Sequence, residues 1–181
     1  MRKLIAAINM TLDGFCDHTH GIPDEQLHDH YTEMLQGAGA LIYGRTTYQM
    51  MESYWPTLVK TPSGKRSMDD FAMAMENIHK IVFSRTLQKV DWTNARLATK
   101  DLREEVIQLR QQPGKPVYAG SPSMIVGLTN LNLVDEYHLA VHPVIAGSSL
   151  PLFKNITEKI TLKLVKTKTF HSGVVVHYYE K

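Results

Sequence analysis

The sequence predicts a single α/β domain with a largely parallel sheet and antiparallel strands at one edge. Its 181 residues suit one domain, and no linker or internal repeat divides them. Strand and helix patterns alternate through roughly the first 130 residues, which is typical of a parallel sheet joined by helices. Strand patterns dominate the last 50 residues or so, which indicates antiparallel pairing at the end of the sheet.

The composition is that of an ordinary globular protein, and it argues against several functional classes. Lys and Arg number 20 against 18 Asp and Glu, and a net charge of only +2 argues against a dedicated nucleic-acid binder. The single cysteine, Cys16, excludes an internal disulfide framework. The apolar run Leu4–Ile8 is shorter than the roughly 7–15 residues of a secretion signal or the 20 or so of a membrane span. We therefore expect a cytoplasmic protein that does not bind membranes.

The predicted strands are of two kinds, short apolar runs and runs that alternate in a period of two. The period-two runs are Tyr137–Val141 and Ile160–Leu164, and Val174–Tyr179 follows the latter after the turn His171-Ser172-Gly173, which predicts a C-terminal β-hairpin. The short apolar runs are Arg2–Asn9, Ala40–Tyr43, Lys80–Phe83 and Pro116–Ala119.

The predicted helices are placed by their capping residues. Asp24 begins one that Gly37 ends, and Asp101 begins another. The series Ser67-Met68-Asp69-Asp70 has the spacing of a capping box, with Asp in place of Glu. A short helix is expected over about residues 47–53, and the polar stretch Pro56–Gly64 is expected to be a mobile loop.

Three predicted strands each end in a turn of small and hydroxyl-bearing residues. Backbone N–H groups at the start of a following helix bind anions, glycine lets a phosphate approach, and arginine adds a bidentate partner. Each turn alone is more typical of a structural cap, but three together favour a nucleotide with several phosphates. The turns are Gly44-Arg45-Thr46-Thr47, Ser84-Arg85-Thr86 and Gly120-Ser121-Pro122-Ser123.

The usual dinucleotide-binding sequences are missing from the chain. Gly37-Ala38-Gly39 precedes a predicted strand instead of following one, and Ile42 stands where the third glycine belongs. No P-loop sequence occurs either. A bound dinucleotide would therefore need another architecture.

Over nearly its whole length the chain resembles the dihydrofolate reductase-like superfamily. It is most similar there to the reductase domain of the bifunctional riboflavin-biosynthesis deaminase/reductase, in a short stand-alone form. Each motif is weak alone, but their order and spacing are fairly specific. The motifs are Thr11-Leu12-Asp13-Gly14, Gly44-Arg45-Thr46-Thr47-Tyr48, Tyr54-Trp55-Pro56, Val82-Phe83-Ser84-Arg85-Thr86, Leu133-Val134-Asp135-Glu136 and His142-Pro143-Val144-Ile145-Ala146-Gly147.

The resemblance implies a three-layer fold with a central sheet of about eight strands and NADPH as cofactor. It places Arg45 and Thr47 at the cofactor phosphates, and Ser84 and Arg85 at the adenosine 2′-phosphate. It also places Gly120 and Ser121 near the pyrophosphate and nicotinamide, with Ala7, Asn9 and Gly14 bordering the nicotinamide.

Two departures from the family bear on this resemblance. The family usually has Gly-Gly where this chain has Gly120-Ser121, and in dihydrofolate reductases that bond is cis. The acidic residue that holds the pterin has no secure match, although His28 and Asp29 lie near the aligned position. Folate is therefore not the expected substrate.

Four residues are candidates for substrate chemistry, each with a structural alternative. Asp13 is the candidate proton donor, since burial could raise its pKa, although Asp before Gly is most often a turn residue. Tyr48 and Trp55 could stack on a heterocycle or belong to the core. His142, at a strand end, could lie beside a ligand or be a partly buried residue with one hydrogen bond.

These observations lead to one preferred function and two alternatives. The first is an NADPH-dependent reductase of a small heterocycle, such as 5-amino-6-(5-phosphoribosylamino)uracil. A nucleotide-binding sensor or stress protein without turnover is the second, and a structural homodimer scaffold is the third. We expect a homodimer in any case.

Of the four clustered histidines only His18 and His20 could chelate together, and we expect no metal site.

Overall fold

Eight strands form one sheet in this computed structural model, which describes residues 1–181. The strand order across the sheet is β4-β3-β2-β5-β1-β6-β8-β7. The strands are β1 (Leu4–Thr11), β2 (Ala40–Gly44), β3 (Lys80–Phe83), β4 (Ala95–Leu97), β5 (Val117–Ala119), β6 (Glu136–His142), β7 (Lys163–Thr169) and β8 (Val175–Glu180).

The pairing of the strands confirms the predicted α/β class. Strands β1 to β6 pair only in parallel with one another, and β8 then pairs antiparallel with both β6 and β7. The predicted hairpin is therefore present, although its first strand begins at Lys163 and not at Ile160. The sequence missed β4, because its three residues, two half-buried and one exposed, form too short a run to show an apolar pattern.

Five α-helices cover the two faces of the sheet and complete three layers. The apolar residues of β1 alternate between these layers: Leu4 and Ala6 pack with α4 and α5, whereas Ile5 and Ala7 pack with the layer of α1, α2 and α3. None of the helices is both long and apolar enough to span a membrane. The helices are α1 (Glu25–Gln36), α2 (Arg45–Lys60), α3 (Arg66–Asn77), α4 (Leu102–Gln111) and α5 (Pro122–Asn130).

Aspartate caps begin two helices as predicted. The Asp24 carboxylate accepts the Leu27 N–H at 2.8 Å, and Asp101 accepts the Glu104 N–H at 2.8 Å. Gly37 ends α1, also as predicted. Asp24 and Gly37 therefore set the two ends of α1.

The helix expected over about residues 47–53 is present but longer than predicted, and the loop expected over Pro56–Gly64 is correspondingly shorter. Helix α2 continues to Lys60 and contains Pro56, despite a proline cost of about 3 kcal/mol in a helix interior. Trp55, Leu58 and Val59 are half-buried and continue the apolar face begun by Met51. Their burial offsets the hydrogen bond that the proline cannot donate.

The predicted capping box at Ser67 is also wrong. Helix α3 begins at Arg66, and the Ser67 hydroxyl is buried without a hydrogen-bond partner. The Asp69 carboxylate instead accepts the N–H groups of Ser63 and Gly64, at 2.8 and 3.1 Å. Asp69 therefore secures the loop before the helix and not the first helical turn itself.

Candidate functional site

The three predicted anion-binding turns lie side by side at the carboxyl edge of the parallel strands. They follow β2, β3 and β5, and β2 lies between the other two in the sheet. The Arg45 guanidinium donates to the Thr86 hydroxyl at 2.8 Å, which joins the first turn to the second. The Gly44 N–H donates to the Ser121 hydroxyl at 2.9 Å, which joins the first turn to the third. The turns therefore form one continuous rim.

Two helices begin at this rim without a side-chain cap. Gly44 precedes α2 and has no side chain to offer, and the Ser121 hydroxyl before α5 is taken by Gly44. Pro122 occupies the first turn of α5, as the sequence predicts. The remaining N–H groups of both first turns stay available, and the helix dipole gives them positive potential. Thr46 and Thr47 add hydroxyls to the first turn of α2.

Two glycines bring backbone segments of the rim close together. A Cβ on Gly44 would lie 3.2 Å from the Ser123 hydroxyl, and a Cβ on Gly120 would lie 3.1 Å from a ring carbon of Tyr43. All peptide bonds are trans, so the cis bond known from dihydrofolate reductases is not found at Gly120–Ser121. A side chain at either position would therefore force its neighbour to shift by a few tenths of an ångström.

The rim carries two arginines that balance no carboxylate. Arg45 and Arg85 are exposed, and neither belongs to any of the chain's ion pairs. The Ser84 hydroxyl accepts the N–H groups of Thr86 and Leu87 at 3.1 and 2.9 Å, which shapes the turn that presents Arg85. Two free guanidinium groups beside two helix N-termini suit a ligand with several phosphates.

Strand β1 supplies the middle of the same edge. Ala7 is buried, and its carbonyl oxygen lies 3.8 Å from the position of a Cβ on Gly120. Asn9 is exposed two residues further along the same face of β1. The structure therefore brings Ala7 beside the third turn, and Asn9 lies about 6.6 Å further along β1.

His142 lies behind Asn9 and is buried at 1% exposure. Its Nδ1 accepts the Ile22 N–H at 3.0 Å, and its Nε2 is 3.1 Å from Asn9 Oδ1. Burial lowers the pKa of His142 below the usual histidine value. The buried imidazole therefore does not face the open edge of the sheet itself and contacts Asn9, which does.

The expectation that burial raises the pKa of Asp13 is wrong. The carboxylate is exposed and accepts the Thr11 hydroxyl at 2.6 Å and the N–H groups of Ala146 and Gly147 at 3.1 and 2.7 Å. These hydrogen bonds, that of Thr11 foremost, lower the pKa of Asp13 to about 2. Asp13 is therefore an anionic turn residue that ties its loop to residues 146–147, and Gly14 completes the turn at φ +90°.

The two aromatic candidates lie in different surroundings. The Tyr48 ring is buried at 1% exposure; its hydroxyl donates to Glu52 at 2.5 Å and accepts the Trp92 N–H. Tyr48 is thus a core residue with no ring face open to a ligand. Trp55 is half-buried, with its ring 4.6 Å from that of Phe71 in edge-to-face contact.

Tyr31 lies beside the candidate site, although the sequence analysis did not single it out. Its hydroxyl donates to Asn9 Oδ1 at 2.8 Å, and its ring lies 6.5 Å from Phe71. Helix α1 thus connects the aromatic group of Trp55 and Phe71 with the end of β1. A tyrosine on the buried face of a helix needs a hydrogen-bond partner, and that need was the available signal.

A cavity lies at the opposite, amino edge of the sheet. It measures about 620 Å³ and opens between α1 and α3 near the starts of β2 and β3. Its lining includes Leu35, Met73 and Ile78 but none of the rim residues. The anion-binding groups of the rim are therefore separate from this cavity.

This geometry defines a class: an α/β protein with an anion-binding rim at the carboxyl edge of a parallel sheet. Residues 2–176 match the model of the RibD C-terminal domain family, and the chain belongs to that family. The protein YyaP of Bacillus subtilis (strain 168) is 34% identical over 98% of this chain and 94% of its own length. YwjB of the same strain is 26% identical over 98% of this chain and 97% of its own length.

Solved structures share the dihydrofolate reductase-like fold. A riboflavin biosynthesis protein from Shewanella sp. PV-4 matches with a TM-score of 0.76 and 17% identity, over 98% of both chains. A pyrimidine reductase-like protein from Corynebacterium diphtheriae matches at 0.61 and 15%, over 99% of this chain and 91% of that one. The deaminase/reductase of Thermotoga maritima matches at 0.66 and 18%, over 99% of this chain but only 56% of that one.

Proposed function

We propose that the chain is an NADPH-dependent reductase of a small heterocyclic substrate. The observation that carries this proposal is the joining of three anion-binding turns into one rim, through the contacts of Arg45 with Thr86 and of Gly44 with Ser121. Membership of the RibD C-terminal domain family agrees with it. The first and second turns carry the two free guanidinium groups that a dinucleotide with a third phosphate requires.

The residues of the rim fit such a cofactor in a definite order. The N–H groups that begin α2 and α5 would hold the pyrophosphate, together with Arg45, Thr46 and Thr47. Ser84, Arg85 and Thr86 would hold the 2′-phosphate. Gly120 would lie against the nicotinamide end, since it adjoins Ala7 in the middle of the sheet edge.

When bound, NADPH supplies the hydride, and the chain's own residues position the substrate. The substrate would lie beyond Asn9, against helix α1 and the half-buried ring of Trp55. A planar substrate ring can pack against the edge-to-face pair of Trp55 and Phe71. The deaminase/reductase of Thermotoga maritima acts as a 5-amino-6-(5-phosphoribosylamino)uracil reductase, and we propose a pyrimidine of this type as substrate.

Titration with NADPH, followed by the fluorescence of its reduced nicotinamide, tests the proposal. Wild-type protein should bind in the micromolar range, and Arg45→Ala should weaken binding about tenfold or more, because each charge-assisted hydrogen bond contributes roughly 1.5–3 kcal/mol. Arg103→Ala is the matched control, since Arg103 is exposed on α4 in the opposite layer.

Turnover is measured as loss of reduced-nicotinamide absorbance with 5-amino-6-(5-phosphoribosylamino)uracil. Oxidation of NADPH by that compound supports a reductase. Tight NADPH binding without oxidation of a panel of pyrimidines and pterins would indicate a nucleotide-binding sensor instead. Failure to bind NADPH even at millimolar concentration contradicts both functions.

A further inference from the structure

The orientation of the Asn9 side chain is fixed by a chain of hydrogen bonds that starts at a backbone N–H. The Ile22 N–H can only donate, so His142 Nδ1, 3.0 Å away, carries the lone pair. Burial lowers the pKa of His142 and keeps the ring neutral, so the single ring proton is on Nε2. Nε2–H therefore donates to the Asn9 atom 3.1 Å away.

That Asn9 atom must be the carbonyl oxygen Oδ1, because it accepts a proton from His142. With this end of the amide fixed by His142, the Tyr31 hydroxyl, 2.8 Å from the same oxygen, donates to it as well. Burial raises the pKa of Tyr31, so its hydroxyl stays protonated and can donate. Both donors approach Oδ1 from the protein side, and the amide nitrogen Nδ2 has no protein partner.

Asn9 therefore presents only donors to the open edge of the sheet. The residue is exposed, and it follows Ala7 on the face of β1 that adjoins Gly120. Alternate residues of a strand are about 6.6 Å apart, so Asn9 lies about that far beyond Ala7, where the nicotinamide is proposed to bind. A ligand group that meets Asn9 here must be a hydrogen-bond acceptor.

We propose that Asn9 is a specificity-determining donor for a carbonyl oxygen of the bound heterocycle, with His142 and Tyr31 as positioning residues. The inference rests on the proposed function, which places a heterocycle at this edge. Two sources offer the same chemistry: the carboxamide of the nicotinamide and a ring carbonyl of a pyrimidine substrate. In either case the tautomer of His142 decides which end of the Asn9 amide faces the ligand.

The tautomer can be tested without any ligand. The ¹⁵N spectrum of the histidine side chains should show a pyridine-type Nδ1 and a pyrrole-type Nε2 for His142 in wild-type protein. The signal is assigned by its loss in His142→Phe. A proton on Nδ1 would overturn the inference and leave the proposed function standing.

The role of Asn9 is tested with Asn9→Asp, which keeps the shape but replaces the donor with a second acceptor. The probes are NADPH, 2′-phospho-ADP-ribose, which lacks the nicotinamide, and 5-amino-6-(5-phosphoribosylamino)uracil added to the NADP⁺ complex. Gln108→Glu makes the same amide-to-carboxylate change on exposed α4 and is the matched control. Calorimetry gives the affinity for each probe.

Loss of about tenfold or more for NADPH, with unchanged affinity for 2′-phospho-ADP-ribose, assigns the acceptor to the nicotinamide carboxamide. The same loss for the uracil compound alone assigns it to the substrate. Equal weakening of NADPH and 2′-phospho-ADP-ribose marks a merely structural role and overturns the inference, as does wild-type affinity for every probe. Wild-type protein that binds none of the probes overturns the proposed function and this inference together.

Tyr31→Phe separates positioning from contact. It removes one of the two donors to Oδ1 but leaves His142 in place, so the loss should fall on the same probe as in Asn9→Asp and be smaller, about threefold. A loss on a different probe contradicts a positioning role for Tyr31.

Discussion

The Ser121 hydroxyl accepts the Gly44 N–H at 2.9 Å and thereby joins the ends of two neighbouring parallel strands. The bond uses the side chain that would otherwise cap α5, so the first turn of that helix keeps its N–H groups for an anion. It also holds the α2 and α5 N-termini at a fixed separation. One buried hydroxyl thus connects the packing of the sheet with the binding chemistry of its edge.

Loss of this hydroxyl should destabilise the fold. Ser121 is 1% exposed, so Ser121→Ala leaves the Gly44 N–H buried without a partner and should cost about 1–3 kcal/mol in the free energy of unfolding. Urea unfolding measures the loss. Ser53→Ala, in which an exposed hydroxyl that bonds a helix carbonyl is removed, should change stability by less than about 0.5 kcal/mol. Equal stability of Ser121→Ala and wild type would contradict the connection.

Arg85 should distinguish the two nicotinamide cofactors. Its exposed guanidinium is free of ion pairs and follows the Ser84 turn, where the 2′-phosphate is proposed to bind. Arg85→Ala should weaken NADPH binding about tenfold and leave NADH binding unchanged. Titrations with both cofactors at one ionic strength test this, because phosphate contacts weaken with salt. Parallel losses for NADPH and NADH would place Arg85 elsewhere.

Asp13 should act in stability and not in proton transfer. Its pKa is lowered to about 2 in the folded chain, chiefly by the Thr11 hydroxyl, against an ordinary value near 3.8. The unfolded chain therefore binds more protons between these values, and the stabilisation is present above about pH 4 and lost as the pH falls toward 2. Asp13→Ala should thus differ from wild type in urea unfolding at pH 7, and the difference should shrink below about pH 4 and vanish only near pH 2.

Hydrogen exchange checks the same residue locally. The Ala146 and Gly147 amides donate to the Asp13 carboxylate, so they should exchange faster in Asp13→Ala. A pH profile of turnover that keeps its shape in this variant agrees with a structural role. Loss of an alkaline limb from that profile would restore Asp13 as the proton donor, because a donor must be protonated to act.

The stability of the protein should also depend on pH through a basic group, the buried Lys80. It is 0% exposed, its ammonium donates to the carbonyls of Glu76, Ile78 and Thr93, and it lies 4.3 Å from the Trp92 ring centre. Burial lowers the pKa of Lys80 to about 8 from 10.5. Between these values the unfolded chain binds more protons, so this residue makes stability rise with pH.

The slope is measured by urea unfolding between about pH 7.5 and 10.5, where this lysine titrates in one state or the other. Lys80→Met should flatten the rise, since methionine does not titrate. Lys89→Met, on the exposed loop before Trp92, should retain it. A wild-type slope in Lys80→Met would show that other groups cause it.

The sequence predicted the fold well where apolar patterns were strong. Local apolar patterns predicted the largely parallel sheet and the C-terminal hairpin. Asp24 and Asp101 predicted the starts of α1 and α4. The prediction failed at Pro56, where packing against α3 outweighs an intrinsic helix breaker. The predicted capping box at Ser67 failed, because the Asp69 carboxylate bonds the Ser63 N–H in the loop before α3.

The candidate site was predicted in part. The strand ends imply that Gly44, Ser84 and Gly120 share an edge, because parallel strands end together. The contact of Tyr31 with Asn9 spans 22 positions and depends on how α1 packs, which local patterns do not contain. The burial of Tyr48 in the core likewise depends on tertiary packing, which local patterns do not contain. The homodimer and the cytoplasmic location stay predictions.

A crystal structure of the complex with NADPH tests the central claim most directly. The account predicts a pyrophosphate at the first turns of α2 and α5 beside Arg45, and a 2′-phosphate at Ser84 and Arg85. It also predicts a nicotinamide against Gly120 and Ala7. NADPH bound anywhere other than this rim, or a rim that stays empty at saturating NADPH, would contradict it.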